Sequence, residues 1–186
     1  MTSPVDGIRS MLDMLGGIGP SRLDLLEPRA LPDVPRHLLV HDRDMTSTLD
    51  AHFGGPISLD VLACTSLESE LVRRVLLRTP SSIVEFGVIR IHLDRYAAGA
   101  RRDIEEGRRP LGAIIESCGM TYRSEPLAYF RIENDAVARL FGHEPVAPMY
   151  GRFNTLLDGT GACLAEVAEV LPPSCHGDCS TEVDHA

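Results

Sequence analysis

The chain has 186 residues, 44% hydrophobic and 24% charged, with no tryptophan and a formal net charge of −9. That length suits one domain with a real core, and arginines scattered among more numerous acids argue against nucleic acid as a partner, which needs a basic patch or stripe. No apolar run approaches the ~20 residues of a membrane span, and the N-terminus lacks the basic start and long apolar stretch of a secretory signal, so the cytoplasm is the expected compartment.

Residues 1–35 are rich in Pro and Gly, with Ile8, Met11, Leu12 and Leu15 at helical spacing and a stop at Gly16-Gly17. "HDRDMTSTLDAHFGG" reads as a helix capped by Asp42 or Asp44. Met45, Leu49 and Phe53 form its stripe, and Gly54-Gly55 end it. "PISLDVLA" reads as a strand. Residues 65–78 give conflicting signals: "TSLE" has the capping-box pattern of a helical turn, while "LVRRVLL" is rich in branched residues, so a turn followed by a strand is expected. "SSIVEFGVIRIHL" continues as the next strand after a turn at Thr79-Pro80-Ser81-Ser82. Two helices follow, one from an Asp94 cap to Gly107, the other in "RRPLGAIIESCG" with Pro110 at its first position. Leu111, Ile114, Ile115 and Cys118 make the stripe of the second. "YRSEPLAYFRI" returns as a strand, "NDAVARLFG" as a short capped helix, and "MYGRFNTLL" with "ACLAEVAEVL" as a final hairpin across Asp158-Gly159-Thr160-Gly161. Tight turns between neighbouring strands imply an α+β domain with a largely antiparallel sheet and helices on one face. The domain is expected over residues 36–173, followed by a disordered tail at 174–186.

Three features bear on chemistry. In "LVRRVLL", successive side chains point to opposite faces, so Leu71, Arg73, Val75 and Leu77 share one face. Val72, Arg74, Leu76 and Arg78 share the other, which alternates as a solvated face does. Arg73 is thereby a lone cation on an apolar face. In "ACLAEVAEVL" each face carries one acid, Glu166 or Glu169, and alternation does not choose between them. An inward arginine and an inward glutamate form either a buried ion pair or a pocket that binds an anion and moves a proton. The start of "RRPLGAIIES" adds amides of Leu111 and Gly112 suited to a carboxylate. Of the five cysteines, Cys64, Cys118 and Cys163 read as small hydrophobes. Cys175 and Cys179, with His176 and His185, lack a strong metal-ligand spacing. His41, His52, His92 and His143 sit in four separate segments with no ligand spacing. Neither a metal nor another cofactor is expected.

Several segments, in order, resemble the chorismate pyruvate-lyase family: "RDMTSTLDAHFG", "LVRRVLL", "FGVIRIHL", "GRRPLGAII", "YGRFNTL" and "AEVLPP". The resemblance covers roughly residues 36–173. It implies a six-stranded antiparallel sheet with helices on one side, the strand count read above, and a ligand sealed beneath flaps. It also implies cleavage of chorismate to 4-hydroxybenzoate and pyruvate without a cofactor. Carried over by position, it places Met45, Arg73, Leu111 and Glu169 on the ligand-contacting and catalytic positions, and Pro173 favours Glu169 over Glu166. Ala168 stands where the family has a threonine. In physical terms, Arg73 would bind one carboxylate of chorismate bidentately, the Leu111 and Gly112 amides the other, and Glu169 would serve as acid or base. The same fold also serves non-catalytic effector-sensing domains of GntR-type repressors, which follow a DNA-binding helix-turn-helix. Residues 1–35 are too short and Pro/Gly-rich for that segment. An enzyme of this fold acting on another carboxylic acid is the third reading.

Overall fold

The computed structural model describes residues 3–14, 19–142 and 147–173; Cys175, Cys179 and the rest of the tail, like His143, lie outside the described residues. The chain runs α1 (Pro4–Asp13), β1 (Arg22–Leu26), α2 (Asp33–Leu39), α3 (Met45–Phe53), β2 (Ser58–Leu67), β3 (Glu70–Arg78), β4 (Ile83–His92), α4 (Ala98–Glu106), α5 (Leu111–Ser117), β5 (Tyr122–Glu133), α6 (Asp135–Leu140), β6 (Met149–Asp158) and β7 (Cys163–Leu171). All strands join one antiparallel sheet in the order β1-β5-β6-β7-β4-β3-β2. The architecture is the α+β one expected, with seven strands where six were counted. The additional strand is β1, which pairs Arg22–Leu26 with β5 at one edge of the sheet. Its five residues RLDLL contain no β-branched or aromatic side chain, so propensity did not mark it.

Local signals account for most element ends. Asp44, not Asp42, caps α3, accepting a hydrogen bond from the Ser47 amide at 2.7 Å. Asn134 does the same for α6 through the Val137 amide at 3.0 Å. Gly54 and Gly107 close α3 and α4 in the left-handed conformation, φ 68° and 67°, which glycine adopts without a Cβ penalty. In the β6–β7 hairpin the Asp158 carboxylate accepts the amides of Thr160 (2.8 Å) and Ala162 (2.9 Å), and Gly161 takes φ 85°.

Five local expectations are corrected. "TSLE" forms no helical turn: β2 continues through Leu67 and turns at Glu68-Ser69 directly into β3, with Glu68 at φ 53°. Asp94 caps no helix; it lies in a 3-10 turn, Leu93–Arg95, and α4 begins at Ala98. Pro110 occupies the N-cap of α5 rather than its first turn, and Cys118 ends that helix exposed rather than joining its buried stripe. Cys64 is exposed as well, and among the described cysteines only Cys163 is half-buried.

Both faces of the sheet are covered. Helices α2–α5 gather over the face of Arg73, Ile89, Val167 and Glu169, giving cores around Leu111, Ile114 and Ile115 and around Leu38, Leu39 and Leu49. On the opposite face, Ile8, Met11 and Leu12 of α1 and Val137 of α6 pack on Val72, Leu76, Phe86, Val88, Phe130 and Val170. The β3 face expected to be solvated is therefore core at Val72 and Leu76, because α1 lies over it. Gly151 in β6 is required by packing. A Cβ there would fall 2.3 Å from the Glu169 carbonyl and 2.5 Å from the Phe130 ring, distances no side chain tolerates.

Candidate ligand-binding site

The site is laid out by the pleat of the sheet. Strand register aligns Arg73, Ile89, Val167 and Asn154 in one row, then Val75, Gly87, Glu169 and Arg152 in the next, then Leu77 and Glu85. These side chains share a face and form the floor of a cavity of about 90 Å³. The starts of α3 and α5 form its rim, with Asp44, Met45, Thr46, Pro110, Leu111 and Gly112. Gly87 keeps the floor open, since a Cβ there would come 3.1 Å from Val75 and 3.4 Å from Glu85 Oε1. Gly112 lets α5 approach β5 and α3 closely, since a Cβ there would meet the Tyr122 hydroxyl at 3.0 Å and Asp44 Cβ at 3.6 Å. The Tyr122 phenol is pushed up to about 12 by burial and by the nearby carboxylates of Asp44 and Glu116, so it stays neutral at the rim.

All five residues singled out from the sequence, Met45, Arg73, Leu111, Gly112 and Glu169, line this one cavity. Met45 also packs into the core with Leu38, Leu39, Leu49 and Leu77, so its side chain is at once wall and core. Phe53, expected in the same stripe, is exposed. Leu111 is buried at the start of a helix of only seven residues.

Of the two arrangements open for Arg73 and Glu169, the buried ion pair between them is not formed, although both line the cavity. Glu169 is bonded instead to Arg152, whose Nε donates to Glu169 Oε2. Arg152 is fully buried and otherwise held by backbone: its Nη1 donates to the carbonyls of Leu39 (3.1 Å) and His41 (3.1 Å). His41 Nδ1 lies 3.3 Å from the same nitrogen while Nε2 lies 2.8 Å from the Leu38 carbonyl. A neutral ring protonated on Nε2 satisfies both contacts, and burial together with Arg152 holds the His41 pKa below its usual value. Arg152 is held above its usual value: burial acts against the charge but the Glu169 carboxylate outweighs it.

Arg73 has no such partner. It is 2% exposed, and its Nε and Nη1 are buried without a hydrogen bond among the described residues. Desolvation lowers its pKa, yet a guanidinium remains charged in a protein. Asn154 donates to Ser124 Oγ at 2.8 Å and leaves its own buried Oδ1 unpartnered. Glu85 is 3% exposed, and its Oε2 also lacks a partner. Burial raises the Glu85 pKa well above the carboxylate range, the neighbouring Glu169 raises it further, and Arg152 offsets only part of this. Alternation had left Glu166 and Glu169 open. The structure turns Glu166 to the other face, where it pairs with Arg90 at 2.9 Å.

Arg152, Glu85, Asn154 and Tyr122 were not singled out from the sequence. The signal for Glu85 was the one used for Arg73, a lone charge on the apolar face Ile83, Glu85, Gly87, Ile89, Ile91. Arg152 and Asn154 likewise alternate onto one face of β6. Tyr122 carried no comparable signal. Among the described residues no group of three His, Cys, Asp or Glu could hold a metal, and no helix is long and apolar enough to cross a membrane.

The structure is thus an antiparallel sheet beneath short helices, with a charged cavity between them. The chain is similar to the effector domain of PhnF from Mycobacterium smegmatis (18% identity, 69% of this chain and 88% of that one, TM-score 0.58). It is also similar to PhnF itself (16% identity, 93% and 80% covered, TM-score 0.61) and to the Staphylococcus aureus gene product SA0254 (12% identity, 62% and 82% covered, TM-score 0.51). The likeness is one of fold, which is chorismate lyase-like. No protein-family profile and no curated protein matches the chain.

Proposed function

We propose that the chain is an effector-binding domain for a small organic carboxylate. The observation that carries this reading is Arg73, a buried guanidinium with unpartnered donors lining a cavity. An unpaired buried charge is costly, and a ligand carboxylate would supply the two acceptors that match its fork. Val75, Leu77, Ile89, Leu111, Leu156 and Val167 would enclose the ligand's carbon skeleton. The fold shared with the effector domain of PhnF supports binding without turnover as the role.

A second reading, the chorismate pyruvate-lyase implied by the sequence resemblance, is favoured by one observation. Two carboxyls, Glu85 and Glu169, line the same cavity as the arginine. In that reaction the ether C–O bond breaks, the departing enolpyruvate gains a proton to become pyruvate, and the ring loses a proton to become aromatic. One group must supply acid and another accept the ring proton. An enzyme acting on another carboxylic acid would use the same groups.

Titration calorimetry with 4-hydroxybenzoate and with chorismate tests the binding reading. Arg73→Ala is expected to lower affinity by about 100-fold or more, and Arg74→Ala, altered on the opposite face, to leave it unchanged. Equal losses from both variants, or no binding to the wild-type protein, would refute it. Incubation with chorismate, assayed for pyruvate and each hydroxybenzoate isomer, separates the two roles: pyruvate release that is lost in Glu169→Gln selects the lyase, and its absence selects the effector domain.

A further inference from the structure

We propose that Glu85 is the specificity-determining residue of this cavity, its carboxyl hydrogen-bonding a hydroxyl or carbonyl oxygen at the end of a monocarboxylate ligand remote from Arg73. The proposal rests on the carboxylate-binding reading of the cavity and names the ligand class more narrowly.

The argument begins with position. Arg73 and Glu85 lie two rows apart on the floor. The backbone row of Leu77 and Glu85 lies four residues along β3 from Arg73, about 13 Å at the rise of a strand, and the Glu85 carboxyl reaches part of the way back, over Gly87. Between them lie only Val75 and the bare Gly87 before the sheet passes to Glu169. A ligand with its carboxylate on Arg73 therefore extends along apolar floor toward Glu85.

The second step is what faces Glu85. From β7 it meets Glu169 and from β6 Arg152. From β3 the neighbours are Val75 and Leu77, and at the rim Met45. The segment between α2 and α3 places His41 and the Arg43 carbonyl on Arg152 rather than on Glu85. Two carboxyls thus share one guanidinium, and Glu169 already takes its Nε. A carboxyl left over in a dry site beside another carboxylate keeps its proton, in line with the upward direction of its pKa. A neutral carboxylic acid is a hydrogen-bond donor as well as an acceptor, and Glu85 Oε2 is buried without a partner.

Charge then selects the ligand. On the floor, Arg73 and Arg152 against Glu169 leave one positive charge, which a monoanion neutralises, while the Asp44 carboxylate at the rim is taken up in capping α3. A polar oxygen at the ligand's far end satisfies Glu85, and an analogue lacking it leaves the acid unpaired, a loss that discriminates between ligands.

The matched probes are 4-hydroxybenzoate and benzoate, titrated calorimetrically into the full chain at pH 7. The wild-type protein is expected to prefer 4-hydroxybenzoate by about tenfold or more. Glu85→Gln, which keeps a neutral donor, should retain the preference. Glu85→Leu should abolish it by weakening 4-hydroxybenzoate alone. Equal affinities in the wild-type protein, or an unchanged preference in Glu85→Leu, would overturn the role of Glu85 while leaving the carboxylate site intact. Failure of both acids to bind would overturn the site itself and the proposal with it. Should Glu85→Leu not fold, infrared difference spectra decide. The carbonyl stretch of a protonated carboxylic acid, present in the wild-type protein and absent in Glu85→Gln, should shift on adding 4-hydroxybenzoate and not benzoate. A band that is absent, or unmoved by either ligand, would overturn the assignment.

Discussion

Strand β7 presents two glutamates three residues apart, and each meets an arginine at its own register position on a neighbouring strand, Glu166 with Arg90 of β4 and Glu169 with Arg152 of β6. The side chains of the first pair are 27% and 24% exposed, those of the second 7% and 0%. The chemistry is the same and the surroundings are not. Arg90 also reaches Glu70 at 3.7 Å and Met14 at 3.4 Å near the border of α1, where water screens charge. Arg152 is enclosed by backbone carbonyls, His41 and a second carboxyl, where a charge without its partner has nowhere to turn. The comparison teaches that an Arg–Glu pair has no fixed worth: solvent access decides whether it is a modest surface contact or a unit whose members depend on each other.

The sharpest way to break the contrast is to remove the buried cation. Arg152→Ala leaves Glu169 buried and uncompensated and should cost about 3–5 kcal/mol in urea unfolding, with Glu169→Gln in the same background recovering part of the loss. A cost near that of a surface change would mean that the two pairs are energetically alike.

Glu85 sharpens the comparison by titration. Its pKa is raised in the folded protein, so its contribution to stability is complete below the unfolded carboxyl value of about 4.3 and is lost as pH rises from there through the folded value. The wild-type protein should therefore lose stability relative to Glu85→Gln with rising pH, by at most about 1.4 kcal/mol per pH unit. Parallel stability curves for the two proteins between about pH 4 and about pH 8 would mean that the acid titrates alike in the folded and unfolded protein.

The smallest effect belongs to the half-buried pair, Arg90 and Glu166. Arg90→Ala should cost no more than about 1 kcal/mol, and the difference from wild type should shrink further in high salt. A salt-independent loss as large as that of Arg152→Ala would erase the distinction drawn here.

Alternation was a reliable guide to direction. It sent Arg73 and Arg74 to opposite faces, and it sent Glu166 and Glu169 apart, because the side-chain period of a strand is two whatever covers the sheet. The helix caps at Asp44 and Asn134 and the hairpin turn at Asp158 were equally local, each formed within a few residues of chain. Where local signals competed, as between the capping-box pattern of "TSLE" and the branched run after it, pairing with β3 prevailed and the segment became strand.

What the sequence by itself determined is therefore most of the elements, though neither β1 nor α2, together with the alternation of side chains along the strands and the presence of isolated charges on apolar faces. Only the tertiary structure decided which charge meets which. It placed α1 over the β3 face that reads as solvated, added β1 as a seventh strand through pairing alone, and gave Glu169 to Arg152 rather than to Arg73. The reason is physical. A strand's sequence specifies which side chains point together, but strand order specifies their neighbours, and here β6 and β4 flank β7 while Arg73 lies one strand further away on β3. That spacing leaves Arg73 as the unpaired cation of the cavity, a property that no stretch of the chain contains alone.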